Sequence, residues 1–524
     1  MYNIPVIREP KVDNGRISFK YLDTERYKRD ENEPENNNEF EQKYREHNLV
    51  EGHEFREMLL KGSKIELRDT FVDNFAIGRT SRFIDEDYEV PSEKNNLSLK
   101  MTDCFLYGNS ISTLENFKIK KLILEQCIIN VGTIDFINLS MDENSQFEFN
   151  NCKFINTELN FRNFIMENGH FVIADCKFSN SPILFEAKIT NSNVFIINNS
   201  FVESRFYIND SYLTNAAIKI SGDFKYSLDI CLQTIYSNNS YLDFKINNIS
   251  MRDKNVFEFE EIYFEGGKLS FEYSNLNNTY VIFERCKFNT FINISVDECK
   301  GVTFDNSTVN NGIIKIDVKN GCEELSLLEL LNVGVIDIDW DKNNVYEAIV
   351  NSHYKSYYDL AKQFLILKDS YNKLGYYEYE DKAYIFYKRY QLEADYIAGI
   401  KSTNTLKKMM SFLQCTIKKI FLDFISEFGM NPKRIVIFML FIIGLFSLIY
   451  TILPNAYFSG IDSKCTILSK IYNSIYFSGI TFLTIGYGDI HPINIAKAFA
   501  VLEGFLGVLS MSYFVVTFSR KIIR

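Results

Sequence analysis

The stretch Phe147-Glu-Phe-Asn-Asn-Cys152-Lys-Phe154 recurs 24 residues later as Phe171-Val-Ile-Ala-Asp-Cys176-Lys-Phe178. A third copy is Phe195-Ile-Ile-Asn-Asn-Ser200-Phe-Val202. Each copy begins with two apolar residues separated by one position, which is the period of a β-strand with one buried face. The Asn and Asp residues that follow favour a tight turn, because their side chains bond the local backbone and tolerate left-handed angles.

Further copies of this pattern lie between residues 97 and 340. They are Leu99/Met101/Cys104/Leu106, Leu122/Leu124/Cys127/Ile129, Phe244/Ile246/Ile249/Met251, Phe257/Phe259/Ile262/Phe264, Val281/Phe283/Cys286/Phe288 and Val302/Phe304/Ser307/Val309. One strand cannot bury its apolar face alone, whereas stacked copies can. The period therefore predicts a parallel β-helix, in which about ten rungs spaced by roughly 4.8 Å would form a rod about 50 Å long.

The interval of 13 residues between Phe244 and Phe257 breaks the period. We therefore expect one of these two copies to lie on another face of the same rung. The region resembles degenerate pentapeptide-repeat and right-handed β-helix proteins. Some β-helices cleave polysaccharides with clustered aspartates, for which the candidates here are Asp175, Asp210 and Asp305. These residues stand at expected turn positions, so a structural or sensing rod is favoured over an enzyme.

The cysteines follow the repeat and not a disulfide or metal pattern. Cys104, Cys127, Cys152 and Cys176 occur once per copy, and the ten cysteines include no CxxC pair. The histidines are dispersed at His47, His53, His170, His353 and His491. We expect small buried thiols in a reducing compartment, with no zinc site and no cofactor.

The first 95 residues are charged and are predicted to be irregular, with Glu31 to Glu41 as a mobile linker. No basic segment followed by an apolar one occurs at the N-terminus, so no secretory signal is predicted. A net charge of −11 argues against a nucleic-acid partner.

Residues 345–430 are predicted to form a helical hairpin and a juxtamembrane helix. Asn344 is a candidate N-cap, and Leu374-Gly375-Tyr376 is expected to separate the two hairpin helices. The tyrosines of this region are expected to serve packing. Residues 404–430 have the pattern of an amphipathic helix near a membrane, with lysines at Lys407, Lys408, Lys418 and Lys419.

Residues 431–524 contain two candidate membrane spans. Ile435 to Leu453 carries no charge, and Ala496 to Phe518 carries only Lys497 and Glu503. Basic residues precede the first span and follow the second, at Lys433-Arg434 and Arg520-Lys521. The positive-inside rule therefore predicts that both termini, and with them the β-helix, are cytoplasmic.

Between the spans, Ile471 to Leu483 is apolar but too short to cross a bilayer, and Thr484-Ile-Gly-Tyr-Gly-Asp489 follows directly. This arrangement indicates a re-entrant helix and loop, since irregular backbone is tolerated in a membrane only where protein or water covers it. Residues 470–524 resemble the two-transmembrane bacterial potassium-channel family. The resemblance implies a selectivity filter in which K⁺ is held through Thr484, Ile485, Gly486 and Tyr487, with Gly488 completing the motif.

The same resemblance suggests residues that support the filter. Asp489 matches the aspartate after the filter, and Tyr476 and Phe477 stand where the family has paired tryptophans. Two positions depart from the family pattern, Leu483 in place of Thr and Ile480 in place of a Glu found in some members.

In the second span, Glu503 is expected to form hydrogen bonds behind the filter, in preference to the alternative that it titrates as a gate. Gly507 is a candidate gating hinge, with helix packing as the equal alternative.

A filter of this kind needs four chains, so the resemblance implies a homotetramer in the lipid bilayer of the cell membrane. The β-helix would regulate the channel through an unidentified ligand or protein, or would only scaffold it. Two alternatives stay open: a membrane-anchored β-helix scaffold whose pore does not conduct, and a tethered β-helix enzyme.

Overall fold

The computed structural model describes residues 8–13, 16–21, 43–60, 64–73, 75, 95–108, 111–225, 229–250, 255–272, 274–328, 330–331, 334–352, 356–401, 405–460 and 466–523. The chain divides into two compact units, Met1–His353 and Tyr354–Arg524. The first unit is a β-solenoid of about ten turns, and the second is helical.

The solenoid unit is built from short strands, most of which pair in parallel with the next turn. Its first strands are Arg8–Asp13, Arg16–Tyr21, Lys43–Glu51, Ile65–Arg68, Thr70–Asp73, Asn95–Thr102, Phe105–Tyr107, Ile111–Glu115, Phe117–Glu125, Ile128–Asn130, Thr133–Ile137, Ser140–Met141, Gln146–Asn150 and Lys153–Ile155. They continue as Glu158–Glu167, His170–Ala174, Lys177–Ser179, Ile183–Thr190, Asn193–Val202, Phe206–Thr214, Ala217–Lys225, Asp229–Ser250, Asn255–Ser270, Ser274–Glu284, Lys287–Asp305, Thr308–Val309, Ile313–Val318, Cys322–Ser326 and Val335–Ile338.

The predicted repeat matches the pairing of strands between successive turns of the solenoid. Phe147 pairs with Phe171, and Phe149 pairs with Ile173, as the period of 24 residues requires. The third copy, however, is displaced by one residue from the sequence alignment. Phe171 pairs with Val194 and not with Phe195. Because side chains alternate between faces, this shift turns Phe195 outward and places Asn199 in the interior.

The irregular interval between Phe244 and Phe257 has the predicted explanation. Phe244 pairs with Ile220, whereas Phe257 pairs with Ile230. Ile220 and Ile230 lie on separate strands of the preceding turn. The two copies therefore face the core from different sides of the solenoid, and the expectation is confirmed.

Stacked aromatic rings fill much of the solenoid core. Phe154, Phe178, Phe201 and Phe224 form one continuous stack with ring centroids 4.7, 5.0 and 4.7 Å apart. All four side chains are fully buried. The turns between strands are made by Asn and Asp residues with positive φ, including Asn151, Asp175 and Asp210. Asp175 and Asp210 are thus accounted for by the backbone they adopt.

The solenoid begins before residue 97. Ile65–Arg68 pairs in parallel with the strand at Asn95–Thr102, and Lys43–Glu51 pairs in parallel with Thr70–Asp73. Two antiparallel strands, Arg8–Asp13 and Arg16–Tyr21, precede them, and helix α1 spans Gly52–Leu60. The first 95 residues therefore contain strands and a helix, although few apolar repeats in the sequence predict them. Glu31 to Glu41 lies outside the described residues.

The remaining helices are α2 (Val345–Asn351), α3 (Tyr357–Leu374), α4 (Tyr377–Ile400), α5 (Thr405–Lys418), α6 (Pro432–Ile452), α7 (Ile467–Phe482) and α8 (Ala496–Ile523). A π-helix spans Lys419–Phe424, a 3₁₀ turn spans Asn455–Tyr457, and two short strands are Phe458–Ser459 and His491–Pro492.

The first helix of the predicted hairpin, expected to start after Asn344, is divided into α2 and α3. Asn344 precedes α2 in a left-handed conformation and its side chain makes no capping bond. The cap is at Ser356, whose side chain accepts a hydrogen bond from the Asp359 amide and starts α3. Gly375 ends α3 with a φ of 77°, as its predicted role as a breaker requires.

The segment before α6 is irregular. After the π-helix, Glu427, Phe428 and Gly429 have positive φ in succession. Arg389 of α4 donates three hydrogen bonds of 2.8 to 3.0 Å to Asp423. Arg434 of α6 forms an ion pair of 2.7 Å with Glu427. The predicted amphipathic helix over 404–430 therefore ends earlier, and ion pairs hold the turn that follows it.

The aromatic stack yields a test of the register. Replacing Phe178 with Ala removes the ring between Phe154 and Phe201, and we expect the purified protein to lose about 3 to 5 kcal/mol of unfolding free energy. Urea unfolding followed by far-ultraviolet circular dichroism measures the loss. Lys177→Ala, one position along and exposed, is the control and should change stability by about 0.5 kcal/mol or less. Equal effects of the two changes would contradict the register.

Candidate functional site

Helices α6, α7 and α8 form the C-terminal end of the chain and pack around one apolar cluster. Its buried members include Ile442 and Phe446 of α6, Phe477 and Phe482 of α7, and Ala496 of α8. Helices α6 and α8 are long and apolar enough to cross a membrane, with mean hydropathies of 2.8 and 1.8. Only 28% and 17% of these spans are buried, so most of their apolar surface faces outward, unlike the core helix of a soluble protein.

Helix α7 starts at a side-chain cap and is too short to span a bilayer. Thr466 accepts a hydrogen bond of 3.3 Å from the Ser469 amide, which fixes the first turn. The helix has 16 residues, which corresponds to about 24 Å. It ends at Phe482, immediately before the glycine-containing loop. These features agree with the predicted re-entrant helix.

Glu503 is the buried polar centre of this region. Its carboxylate is fully buried and accepts a hydrogen bond of 2.7 Å from the Tyr450 hydroxyl of α6. It also accepts one from the Ser478 hydroxyl of α7. The Ser478 hydroxyl additionally lies 2.9 Å from the backbone carbonyl of Ile443 in α6. One carboxylate therefore connects all three helices, which offsets the cost of a charge in an apolar environment.

The loop after α7 alternates between two backbone conformations. Thr484, Gly486 and Gly488 have φ values of 57°, 60° and 80°, whereas Ile485 and Tyr487 between them do not have positive φ. Alternation of left- and right-handed residues lets successive carbonyls face one side of the chain. Glycine adopts the left-handed conformation without strain, but Thr484 does so at a cost.

The loop is uncovered in a single chain. All residues from Thr484 to Asp489 are exposed, and Tyr487 retains 73% of its accessible surface. Asp489 accepts a hydrogen bond of 2.8 Å from the Tyr476 hydroxyl of α7. That bond ties the far end of the loop to the helix that precedes it.

The two aromatic residues predicted to surround the filter have different surroundings. Tyr476 contacts Asp489, whereas Phe477 is buried against Tyr450 and Phe458, with ring centroids 5.0 and 5.6 Å away. Ile480, which stands where some members of the resembled family have Glu, is buried in the same cluster. Tyr476 and Asp489 were both predicted to support the filter, but the hydrogen bond between them was not predicted.

Gly507 lies at the closest approach of α8 to α7. A Cβ atom there would stand 2.0 Å from the backbone oxygen of Phe482. Only glycine permits this contact, so Gly507 has a packing role in this conformation. Gly504, one turn earlier, has only one neighbour, at the ordinary distance of 3.8 Å.

Comparison with known proteins identifies this region. Residues 435–524 match the family model described as ion channel. This part of the chain is a two-span ion-channel domain. It is similar to protein LctB of Geobacillus stearothermophilus, with 43% identity over 42 residues, and to protein LctB of Bacillus caldotenax, with 40% over 42 residues. Each match covers 8% of this chain and 31% of the relative's length. No solved structure matches the chain.

The ion-channel domain includes partners that sequence reasoning missed. Tyr450 and Ser478 bond Glu503, although they stand 53 and 25 residues away from it. The sequence does not single them out, because α6 and α7 contain other polar side chains as well, such as Thr451 and Ser474. In the described part of the chain, no cluster of three or more His, Cys, Asp or Glu side chains is arranged to hold a metal ion.

The two glycines of α8 provide a test of this packing. Gly507→Ala places a methyl group against the Phe482 backbone, and we expect a loss of about 1 to 3 kcal/mol in stability. Gly504→Ala is the matched control in the same helix and should leave stability unchanged within about 0.5 kcal/mol. Thermal unfolding of both variants in detergent measures the difference. A Gly507→Ala variant as stable as Gly504→Ala would contradict the close approach.

Proposed function

We propose that the protein is a potassium-selective channel formed by four copies of this chain. The observation that carries the proposal is the alternation of positive φ at Thr484, Gly486 and Gly488 in a loop between two membrane spans. A loop of this kind can present a row of backbone carbonyls in place of the hydration shell of K⁺. The match of residues 435–524 to the ion channel family supports the class of function.

The ion would be held through backbone and hydroxyl oxygens. Thr484, Ile485, Gly486 and Tyr487 would coordinate K⁺, and Gly488 would let the chain leave the filter. K⁺ is the transported ion here and no resident cofactor is implied. Tyr476, Phe477, Asp489 and Glu503 would hold the loop from behind.

The exposure of the loop supports the proposed homotetramer. One chain supplies one row of carbonyls, and a closed ring of identical contacts is required to surround an ion. Ile485 and Tyr487 retain 49% and 73% of their surfaces in the single chain. Irregular backbone in a membrane is tolerated only where protein or water covers it, and the neighbouring copies would provide that cover.

We also propose that both termini are cytoplasmic, with the solenoid on that side of the cell membrane. The distribution of basic residues supports this orientation: Lys433 and Arg434 open α6, and Arg520 and Lys521 lie near the end of α8. The solenoid would regulate the pore through a ligand or protein, or would scaffold it. An enzymatic solenoid has weak support, since Asp175 and Asp210 are turn residues.

The filter is tested by Gly486→Ala in purified protein reconstituted into liposomes. The added Cβ disfavours the φ of 60°, so we expect K⁺-selective flux to be lost while the solenoid stays folded. Gly444→Ala in α6 is the control, because a Cβ there meets no atom within 4 Å and its φ is not positive. Unchanged selectivity for K⁺ over Na⁺ in Gly486→Ala would refute the filter. Absence of ion flux in the unmodified protein would favour the non-conducting scaffold.

The orientation is tested by cysteines placed at exposed sites. Burial raises the pKa of the Cys286 and Cys322 thiols to about 12 and about 11, so solenoid thiols of this kind react slowly. A new cysteine at Asn144, in an exposed turn, should resist a membrane-impermeant maleimide added to intact cells. A cysteine at Ala456, between α6 and α7, should increase the labelling of intact cells above that of the unmodified chain. Labelling of Asn144→Cys in intact cells would reverse the topology.

A further inference from the structure

The exposed surface of α5 and the π-helix is largely apolar, although Lys408, Gln414, Lys418 and Lys419 are also exposed on it. Ten large apolar side chains between Thr405 and Phe424 retain 38% to 75% of their surfaces. They are Leu406, Met409, Met410, Phe412, Leu413, Ile417, Ile420, Phe421, Leu422 and Phe424. The segment continues within eight residues into α6, which is long and apolar enough to span a membrane. Continuity with a span and an apolar surface of this size indicate that the segment lies in the membrane interface.

A cavity of about 240 Å³ lies between α4, the end of α5 and α8. It is lined by Tyr384, Lys388, Gln391, Leu392, Asp395, Lys418, Leu422, Phe428 and Tyr513. Sites for drug-sized ligands have volumes of about 300 to 1,000 Å³. At about 240 Å³ the cavity is below that range, so it could hold a small polar headgroup but not the apolar tail of a lipid, which would have to lie outside it.

The cavity has more positive than negative charge. Lys388 and Lys418 line it, against one carboxylate, Asp395. Among the described residues, neither lysine forms an ion pair within 4.0 Å with a carboxylate. The ammonium group of Lys388 instead lies over the Tyr387 ring and 3.1 Å from the Gln391 side chain. Two cations without a carboxylate partner at a membrane surface attract an anionic group.

A third cation lies beside the cavity wall. The guanidinium of Arg520 stacks on the Tyr384 ring at 5.1 Å and, in the described part of the chain, has no carboxylate within 4.0 Å. Arg520 and Tyr513 are on α8, and Tyr513 is hydrogen-bonded to Ser426 in the turn before α6. A ligand in the cavity would thus contact the cytoplasmic hairpin, the juxtamembrane segment and the second span together.

We propose that this cavity binds the phosphate headgroup of an anionic phospholipid, whose acyl chains lie along the exposed apolar face of residues 405–424. The ammonium groups of Lys388 and Lys418 would bind the phosphate oxygens. A lipid is favoured over a soluble phosphate because the cavity and the apolar face share Leu422 and meet at Lys418. The proposal depends on insertion in a membrane and not on potassium selectivity.

Lipid binding is tested on the full-length protein in detergent by native mass spectrometry. We expect phosphatidylglycerol to bind more tightly than phosphatidylcholine. The double variant Lys388→Gln/Lys418→Gln should weaken phosphatidylglycerol binding roughly 25-fold, since a lysine near an anionic surface contributes about fivefold. Lys362→Gln/Lys497→Gln removes the same charge from exposed positions outside the cavity and is the control.

Three results would overturn the proposal. Binding that is equal in the two double variants would show that charge alone, and not the cavity, attracts the lipid. Inorganic phosphate that competes for the cavity as tightly as phosphatidylglycerol would assign the site to a soluble anion. The third result is the absence of lipid contact at the apolar face, which a tryptophan placed on that face measures.

Tryptophan quenching examines the apolar face directly. Trp340 is the only tryptophan of the chain and lies in the solenoid unit, so the unmodified protein is the control. Phe412→Trp places a second indole on the apolar face, where Phe412 retains 58% of its surface. In liposomes of brominated phospholipid we expect its emission to be quenched and that of Trp340 to be unaffected. An unquenched indole at position 412 would show that lipid does not cover the face and is the third result that would overturn the proposal.

Discussion

Glu503 is the residue on which the geometry of the ion-channel domain depends. A carboxylate in a membrane span is costly unless other groups satisfy its oxygens. Here Tyr450 of the first span and Ser478 of the re-entrant helix both donate to it. Neither helix can slide along the second span without breaking one of these bonds. Because the three helices are held together, the end of α7 is fixed against Gly507, and the loop after it starts from a defined position.

Within its own chain the loop is held at its two ends. At the start, the Ile485 amide donates a hydrogen bond of 2.9 Å to the Ile480 carbonyl of α7. Thr484 adopts a left-handed conformation that costs a non-glycine residue free energy, and such strain persists only where the surroundings impose it. Within one chain the hydrogen bond from Tyr476 to Asp489 holds the far end, and the residues between are exposed. In the proposed assembly, the neighbouring copies would cover the exposed residues between these two ends.

The sequence was most informative where the backbone imposes a residue type or a period. Glycine at 486 and 488, the 24-residue spacing and the apolar spans all follow from such rules. The register of the third copy was missed because Phe195 and Ile197 are apolar as well as Val194 and Ile196. Only the stack of Phe201 between Phe178 and Phe224 selects one register, and that is a contact between turns. The bonds of Glu503 were only partly predictable for the same reason, since its partners are distant in sequence.

The distribution of exposed apolar residues indicates where the solvent changes along the chain. In the described part of the solenoid, large apolar residues with high exposure are few, such as Ile111, Ile313 and Leu331. From Leu406 onward they are frequent and continuous. A chain in one solvent would not bury phenylalanines so completely in one unit and expose them so widely in the other. The proposed interfacial position of α5 and the π-helix would place the boundary between water and lipid along residues 405–424, close to the ion pairs of Asp423 and Glu427. Charged side chains that neutralise one another can occupy such an interface at lower cost than isolated ones, which explains why the turn before α6 carries paired charges.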